Sequence, residues 1–412
     1  MVKHPLQFGW LLAGALLLSQ SGFAATGHAP SPSQEPPGKC QAIEARCAAT
    51  ITSAFDAHGV LWRTWTLGAG LYLEKSTDLG KTFAPKIRVN TVAEAVSTRG
   101  ENRPKLGFDG QDGLYLSWAT PREQRYSADI RFSYSLDGGK HFSPPVTVND
   151  DKLLAGHSFN EMRVDAGGRV SLVWLDSRDK LLAQGGTMPT GSAIYLAQAT
   201  PGDGDTGFAN RRVVSGTCQC CRLALGVNAK QELALLWRHL YDDNLREFAL
   251  KTLNAAALQA EDEGIKRVSR DLWRIEGCPH QGGALDIDER NRYHLVWFNA
   301  GEAGKGIFYA YSDDQGASIS QPQAMGSMVR QASHPHLAVH GGIVDLVWTE
   351  FDGQRHRLMH QRSLDAGLHF LAPQRLAESD SGSDRPFVIT HADRALVSWQ
   401  RPGIGHFIGE LL

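Results

Sequence analysis

A hairpin that closes on tryptophan recurs seven times along the chain, and this repeat limits the fold more than any other feature. The instances end at Trp65, Trp118, Trp174, Trp237, Trp297, Trp348 and Trp399, spaced 51 to 63 residues apart. Typical members read PKLGFDGQDGLYLSW, MRVDAGGRVSLVW and HLAVHGGIVDLVW. Two short runs rich in Val, Leu and aromatics, separated by Gly, Asp or Asn, are hairpin chemistry and not helix chemistry. A period of 50 to 60 residues fits one four-stranded blade, so the expectation is an all-β chain folded as a single β-propeller. Seven blades are favoured and six stay open. Each Trp is expected to fill the space between neighbouring blades and carries no functional assignment. The last unit ends in HFIGELL and lacks a fourth strand, which the stretch around Cys40–Cys47 is expected to supply. A composition of 42% hydrophobic residues with 43 Gly suits such a turn-rich folded chain.

The start of the chain reads differently. Lys3 and His4 precede an apolar run from Phe8 to Leu18, which ends in Gly22-Phe23-Ala24. A basic start, a short apolar run and small residues at the −3 and −1 positions predict a secretory signal peptide over 1–24, cleaved before Ala25. The run is too short for a stable anchor, and no later segment reaches transmembrane length. Residues 25–39 are Pro-rich without apolar period and predict an extended leader, leaving 40–412 for the propeller. The expected location is periplasmic or secreted, with no membrane anchor after removal of the signal. With Lys+Arg 42 against Asp+Glu 44, the net charge of −2 gives no basis for a nucleic-acid partner.

Propeller function gathers where the segments leading into the innermost strands converge on the channel mouth. Here those lead-ins carry Arg103-Pro104, His157-Ser158-Phe159-Asn160-Glu161, Cys218-Gln219-Cys220-Cys221-Arg222, Cys278-Pro279-His280, His334-Pro335-His336 and Asp384-Arg385-Pro386. Six cysteines lie in the exported part, and Cys40–Cys47 is a plausible local disulfide. Disulfides are also one reading of the other four. Cys218, Cys220 and Cys221 cannot all pair with Cys278, however, and an adjacent Cys220–Cys221 bridge would be a strained ring. The other reading is a soft-metal site of Cys218, Cys220, Cys221, Cys278 and His280, with His334, His336 and His157 as further candidate ligands. Thiolates beside imidazoles suit copper first and zinc second, and disfavour magnesium and calcium.

Four units also carry Ser-x-Asp-x-Gly-x-x followed by an aromatic or aliphatic residue: Ser76 to Phe83, Ser135 to Phe142, Ser312 to Ile319 and Ser363 to Phe370. In register with the Trp repeat, this resembles the Asp box of the sialidase-type bacterial neuraminidase repeat. The stretch from Cys218 through Trp237–Glu247 to Gly277-Cys278-Pro279-His280-Gln281-Gly282 also resembles a secreted bacterial branch of that superfamily, with C-x-C-C and G-C-P-x-x-G motifs, often labelled exo-α-sialidase. The resemblance implies Asp boxes on the face away from the active site. It also implies, for an enzyme, an exo-acting glycoside hydrolase with an Arg triad on a substrate carboxylate and a Tyr nucleophile activated by Glu. Arg103, Arg222 and Arg385 are the candidates for the triad, and Tyr241 with Glu247 for the pair. Arg103-Pro104 stands where the family has Arg-Ile-Pro, and no motif fixes the Tyr/Glu pair. The expected guest at the channel mouth is a metal ion or a small-molecule or glycan ligand, and a non-catalytic interaction propeller is the remaining alternative.

Overall fold

A computed structural model describes residues 40, 42–183, 190–202, 207–255 and 258–412. The predicted signal peptide and leader lie outside the described residues. What is described is almost entirely strand, in successive antiparallel meanders, and the chain has an all-β propeller fold.

Each meander begins with an innermost strand: Ile51–Phe55, Lys105–Phe108, His157–Val164, Ala224–Val227, Ala284–Ile287, Ser333–His340 and Phe387–His391. Each is followed by a second strand that carries the repeat tryptophan: Leu61–Leu67, Leu114–Pro121, Val170–Asp176, Leu233–Tyr241, Tyr293–Gly301, Ile343–Phe351 and Arg394–Arg401. We number these units one to seven. Units one, two, five and six are separate four-stranded sheets, and units three and four are joined by one bridge, Thr217 to His239. Each innermost strand packs against that of the next unit, and the first strand of unit one packs against that of unit seven, closing a ring.

The Trp repeat has a direct physical cause. All seven side chains are at most 1% exposed, wedged between neighbouring sheets with Val, Leu and Ile. An indole buried this deeply needs a partner for its N–H. The sequence provides one each time: Glu74, Glu94, Asp176, His239, Asp271, Glu350 and the Asp384 carbonyl accept from Trp65, Trp118, Trp174, Trp237, Trp297, Trp348 and Trp399 in turn.

The four Ser-x-Asp-x-Gly turns share one geometry. The Ser hydroxyl donates to the Asp carboxylate and accepts the Gly N–H, with every distance between 2.7 and 2.9 Å. The glycines sit at φ of +83° to +87°, where a side chain would be strained. Strand direction puts these turns at the end opposite the lead-ins.

The closing strand does not form as expected. Residues Ala45–Cys47 are a short 3-10 turn, and unit seven keeps three strands. The segment instead caps the edge of unit seven: Gly403 N–H donates to the Arg46 carbonyl at 2.9 Å, and the Gln400 amide to those of Ala45 and Ala48 at 3.0 and 2.7 Å. The Cys40–Cys47 disulfide closes this loop, and a chain tied over seven residues bends into a turn more readily than it extends as a strand. Among the described residues no helix is long and apolar enough to cross a membrane.

Candidate functional site

The lead-ins are stitched to one another across the channel mouth. Arg103 of unit two donates through both terminal nitrogens to Asp384 of unit seven, and its remaining donors meet the carbonyls of Gly100 and Ile51. Arg222 of unit four donates to the Gly283 and Pro335 carbonyls of units five and six, with Glu101 at 3.5 Å. Glu101 in turn accepts the Gly282 N–H at 3.1 Å, and the His334 N–H donates to Gln281 at 3.1 Å. Gly282 passes so close to Arg222 that a Cβ there would lie 2.5 Å from the Arg222 Cβ. Only glycine allows that approach, which explains the paired glycines ending the Gly277–Gly283 stretch.

The second set is sulfur. Cys218, Cys220 and Cys221 turn back between the last strand of unit three and the first of unit four, and are 2%, 4% and 1% exposed. Cys218 Sγ lies 3.7 Å from both Cys220 Sγ and Cys221 Sγ. Cys278 and His280, from the lead-in of unit five, come within 4.8 Å of Cys220, and both are exposed. All four thiols are unpaired, while Cys40 and Cys47 are joined.

Charge is already arranged for a thiolate here. Hydrogen bonds from Cys220 and Cys221, with Arg238 and Arg246 nearby, hold Cys218 well below the usual thiol range. The same contacts push Cys220 up, and burial pushes Cys221 up. Cys278 is brought down to about 7, chiefly by its hydrogen bond with Cys220. Arg246 Nη1 donates to Cys218 Sγ at 3.5 Å and to the Gly277 carbonyl at 2.6 Å, clamping the two lead-ins together. Arg238 and Arg246 lie inside the sequence stretch between the two Cys motifs but received no role from sequence. Glu101 was missed altogether, having no signal beyond its place two residues before Arg103.

The histidines divide. His280 joins the sulfurs. His334 sits beside Arg385, Glu101, Arg222 and His280, and burial with the two guanidiniums pushes it down to about 3. His336 lies among Arg222, Lys105, Arg163 and Arg103, its Nδ1 accepting the Val388 N–H and its ring against Phe387. His157 corrects the expected single cluster. Its Nδ1 meets the Ala128 carbonyl at 2.6 Å and its Nε2 meets Asp151 at 2.9 Å, so the ring groups with the Asp151 and Asp176 carboxylates and not with the sulfurs. Arg178 pairs with the same Asp151 and with Asp176, occupying the cation position of that carboxylate pair.

The candidate nucleophile pair stands at the ends of the second and third strands of unit four. Glu247 pairs with Arg267 and accepts the Leu272 N–H, and Arg267 lies over the Tyr241 ring at 4.8 Å. Burial raises Tyr241 to about 12. The structure thus brings Tyr241 and Glu247 together around Arg267, while Arg103 and Arg222 both lie over the Phe387 ring, at 4.7 and 5.4 Å, and the Arg385 guanidinium packs against Gly100. Among the described residues, buried atoms without a hydrogen-bond partner include Glu101 Oε1, His334 Nδ1, Arg385 Nε and the Tyr241 hydroxyl. Burial pushes the Glu101 carboxyl up, but Arg222, His334 and Arg385 outweigh it and the net shift is downward.

No protein-family model matches the chain, and no curated protein is similar to it in sequence. Solved structures are similar in fold. A Hadza microbial sialidase, Hz136, matches with TM-score 0.51 at 12% identity, over 86% of this chain and 77% of that one. A polysaccharide lyase of family PL25, an ulvan lyase, matches with TM-score 0.55 at 11% identity, over 87% and 90%. The lectin BP39L from Burkholderia pseudomallei matches with TM-score 0.53 at 8% identity, over 89% and 99%. What these matches show is the fold, a β-propeller. A hydrolase, a lyase and a lectin share it, so the fold does not choose the chemistry.

Proposed function

We propose that this chain is an exported, periplasmic or secreted propeller, seven-bladed in our reading, whose channel rim binds soft metal through donors among Cys218, Cys220, Cys221, Cys278 and His280, copper(I) first and zinc second. The observation that carries the reading is the spacing of three buried, unpaired sulfurs, with Cys218 3.7 Å from each of the other two. Two thiolates on one ion at a metal–sulfur distance of about 2.3 Å stand about 3.8 Å apart at the tetrahedral angle and about 4.0 Å apart at the trigonal angle. Oxygen-seeking ions are poor guests for such donors. Protein purified anaerobically from the periplasm should carry copper or zinc, and chelation should release as many reactive thiols as the ion had covered. Cys220→Ser should lose metal without losing fold. A metal-free wild type that takes up neither copper(I) nor zinc after mild reduction ends the reading.

A second reading rests on a different observation, the unpartnered Glu101, His334 and Arg385 atoms at the mouth. A small polar ligand would satisfy the one carboxylate oxygen, the one imidazole nitrogen and the one guanidinium nitrogen that otherwise lack a hydrogen bond. An exo-acting glycoside hydrolase of the sialidase type is the enzyme that fits the fold. Its test is hydrolysis of a fluorogenic sialoside, with loss of rate in Arg222→Lys and Arg385→Lys, which keep charge but lose the bidentate fork. No turnover by the wild type removes it.

A further inference from the structure

The donor atoms at the rim do not form one set. Cys218, Cys220 and Cys221 lie within 4.8 Å of one another, and so do Cys220, Cys278 and His280. The two triples share a single atom, the sulfur of Cys220, which is in contact with all three other sulfurs. Two donors on one ion can be no further apart than twice the bond length, about 4.6 Å for a metal–sulfur distance of about 2.3 Å. A single ion can therefore be served by either triple, while the five donors together exceed its reach.

Resting on the soft-metal reading above, we infer that the rim holds two univalent soft ions, copper(I) in kind, bridged by the Cys220 thiolate, one enclosed by Cys218 and Cys221 and the other open on Cys278 and His280. A thiolate sulfur has lone pairs enough for two ions. Three sulfurs make one three-coordinate set, and two sulfurs with an imidazole make the other, both suited to soft donors and copper(I). Charge favours the same occupancy. Four thiolates with two univalent ions leave two negative charges, and Arg238 and Arg246, the guanidiniums beside Cys218, supply two positive ones. Two divalent ions would leave those arginines uncompensated in a buried site, which is costly.

The two positions differ in access. The ligands unique to the inner position, Cys218 and Cys221, are buried, while Cys278 and His280 face solvent. The outer ion is thus the one that enters, leaves or passes to another carrier, and the inner ion is closed. His280 holds its place with φ of +50°, a conformation uncommon for a residue with a side chain.

The test is anaerobic titration of the reduced full-length mature chain with copper(I) against a competing chromophoric chelator, with native mass spectrometry counting ions. Wild type is expected to take two. Cys278→Ser and His280→Ala change exposed side chains, keep the fold, and should each take one, with the tighter of the two affinities unchanged within about threefold. Cys220→Ser should weaken both positions, and copper X-ray absorption of the wild type should show a second copper neighbour. Saturation at one ion in wild type, or two ions retained in both Cys278→Ser and His280→Ala, overturns the bridged pair and leaves the soft-metal reading standing. No copper(I) bound at all overturns both, so the two failures are distinguishable.

Discussion

Replacing Asp384 by Asn tests whether Arg103 is a ligand-binding arginine or a strut of the ring. The pair is buried, each side chain 1% exposed, and it joins the lead-ins of units two and seven, where the ring closes. The substituted amide keeps the shape of the carboxylate but removes its charge and replaces one acceptor oxygen by an NH2 donor, leaving the Arg103 guanidinium without a charged partner and with one fewer acceptor beside the Gly100 and Ile51 carbonyls. Leaving one member of a buried pair without its partner costs about 3–5 kcal/mol. For a domain of about 370 residues the unfolding entropy is about 0.8 kcal/mol/K, so the midpoint should fall by about 4–6 °C. Replacing both partners by apolar residues, Arg103→Met with Asp384→Leu, removes the buried charges and should recover more than half of the loss. Differential scanning calorimetry of the wild type, the single variants and the double variant provides the numbers. A midpoint for Asp384→Asn within about 1 °C of wild type, or a double variant no better than the single ones, refutes the argument and returns Arg103 to the pool of free, ligand-binding groups.

Two other outcomes are expected. His294 is buried, with Tyr309 on Nδ1 and Asp288 near Nε2, and burial lowers it from the ordinary 6.5 to about 4. Because the folded value lies below the unfolded one, the unfolded chain binds the extra proton as pH falls from 6.5 towards 4, and stability drops by up to about 3 kcal/mol over that window. Thermal unfolding against pH should therefore be steeper there for wild type than for His294→Gln, and parallel curves would contradict it. Gly282→Ala should push the Gly277–Gly283 stretch away from Arg222 and cost about 1–3 kcal/mol, as overpacking does. Metal titration of that variant should show weaker binding at Cys278 and His280, and wild-type stability with wild-type affinity would show that the segment yields freely.

The repeat was legible because a buried Trp every 51 to 63 residues is a long-range periodic signal that local noise does not erase. It placed each Trp on a second strand, and the Ser-x-Asp-x-Gly motifs placed their turns, because both rest on local geometry. The lead-ins were legible as a ring for the same reason. What the repeat could not supply was the direction in which a side chain points. His157 opens an innermost strand as expected, yet its ring turns to Asp151 and Asp176 instead of to the sulfurs. Alternation along a strand means that one position in register decides between two opposite faces. Glu101 escaped notice because its partners, Arg222 and Gly282, stand far off in sequence, and a lone Glu before a strand carries no pattern. The Cys40–Cys47 turn was misread as a strand because sheet-edge logic asked for one, while the disulfide and three backbone carbonyls satisfied the edge by another means.

The position of the sulfur cluster has a mechanical consequence. A propeller closes by the packing of each unit on its neighbours, and no single unit buries both of its faces alone. Cys218, Cys220 and Cys221 belong to the lead-in of unit four, and Cys278 and His280 to that of unit five, so any ion held by both sets ties two neighbouring units at the mouth. The same seam already carries Arg246 between Cys218 and Gly277, and Arg222 on the Gly283 carbonyl. An ion bound there stabilises the closed ring with the logarithm of its affinity, by about 2.7 kcal/mol at a free concentration one hundred times its dissociation constant. Occupancy of the outer position thus couples to how firmly units four and five are held together. On the two-ion proposal, the exposed side of the cluster, at Cys278 and His280, is where an ion would enter and leave.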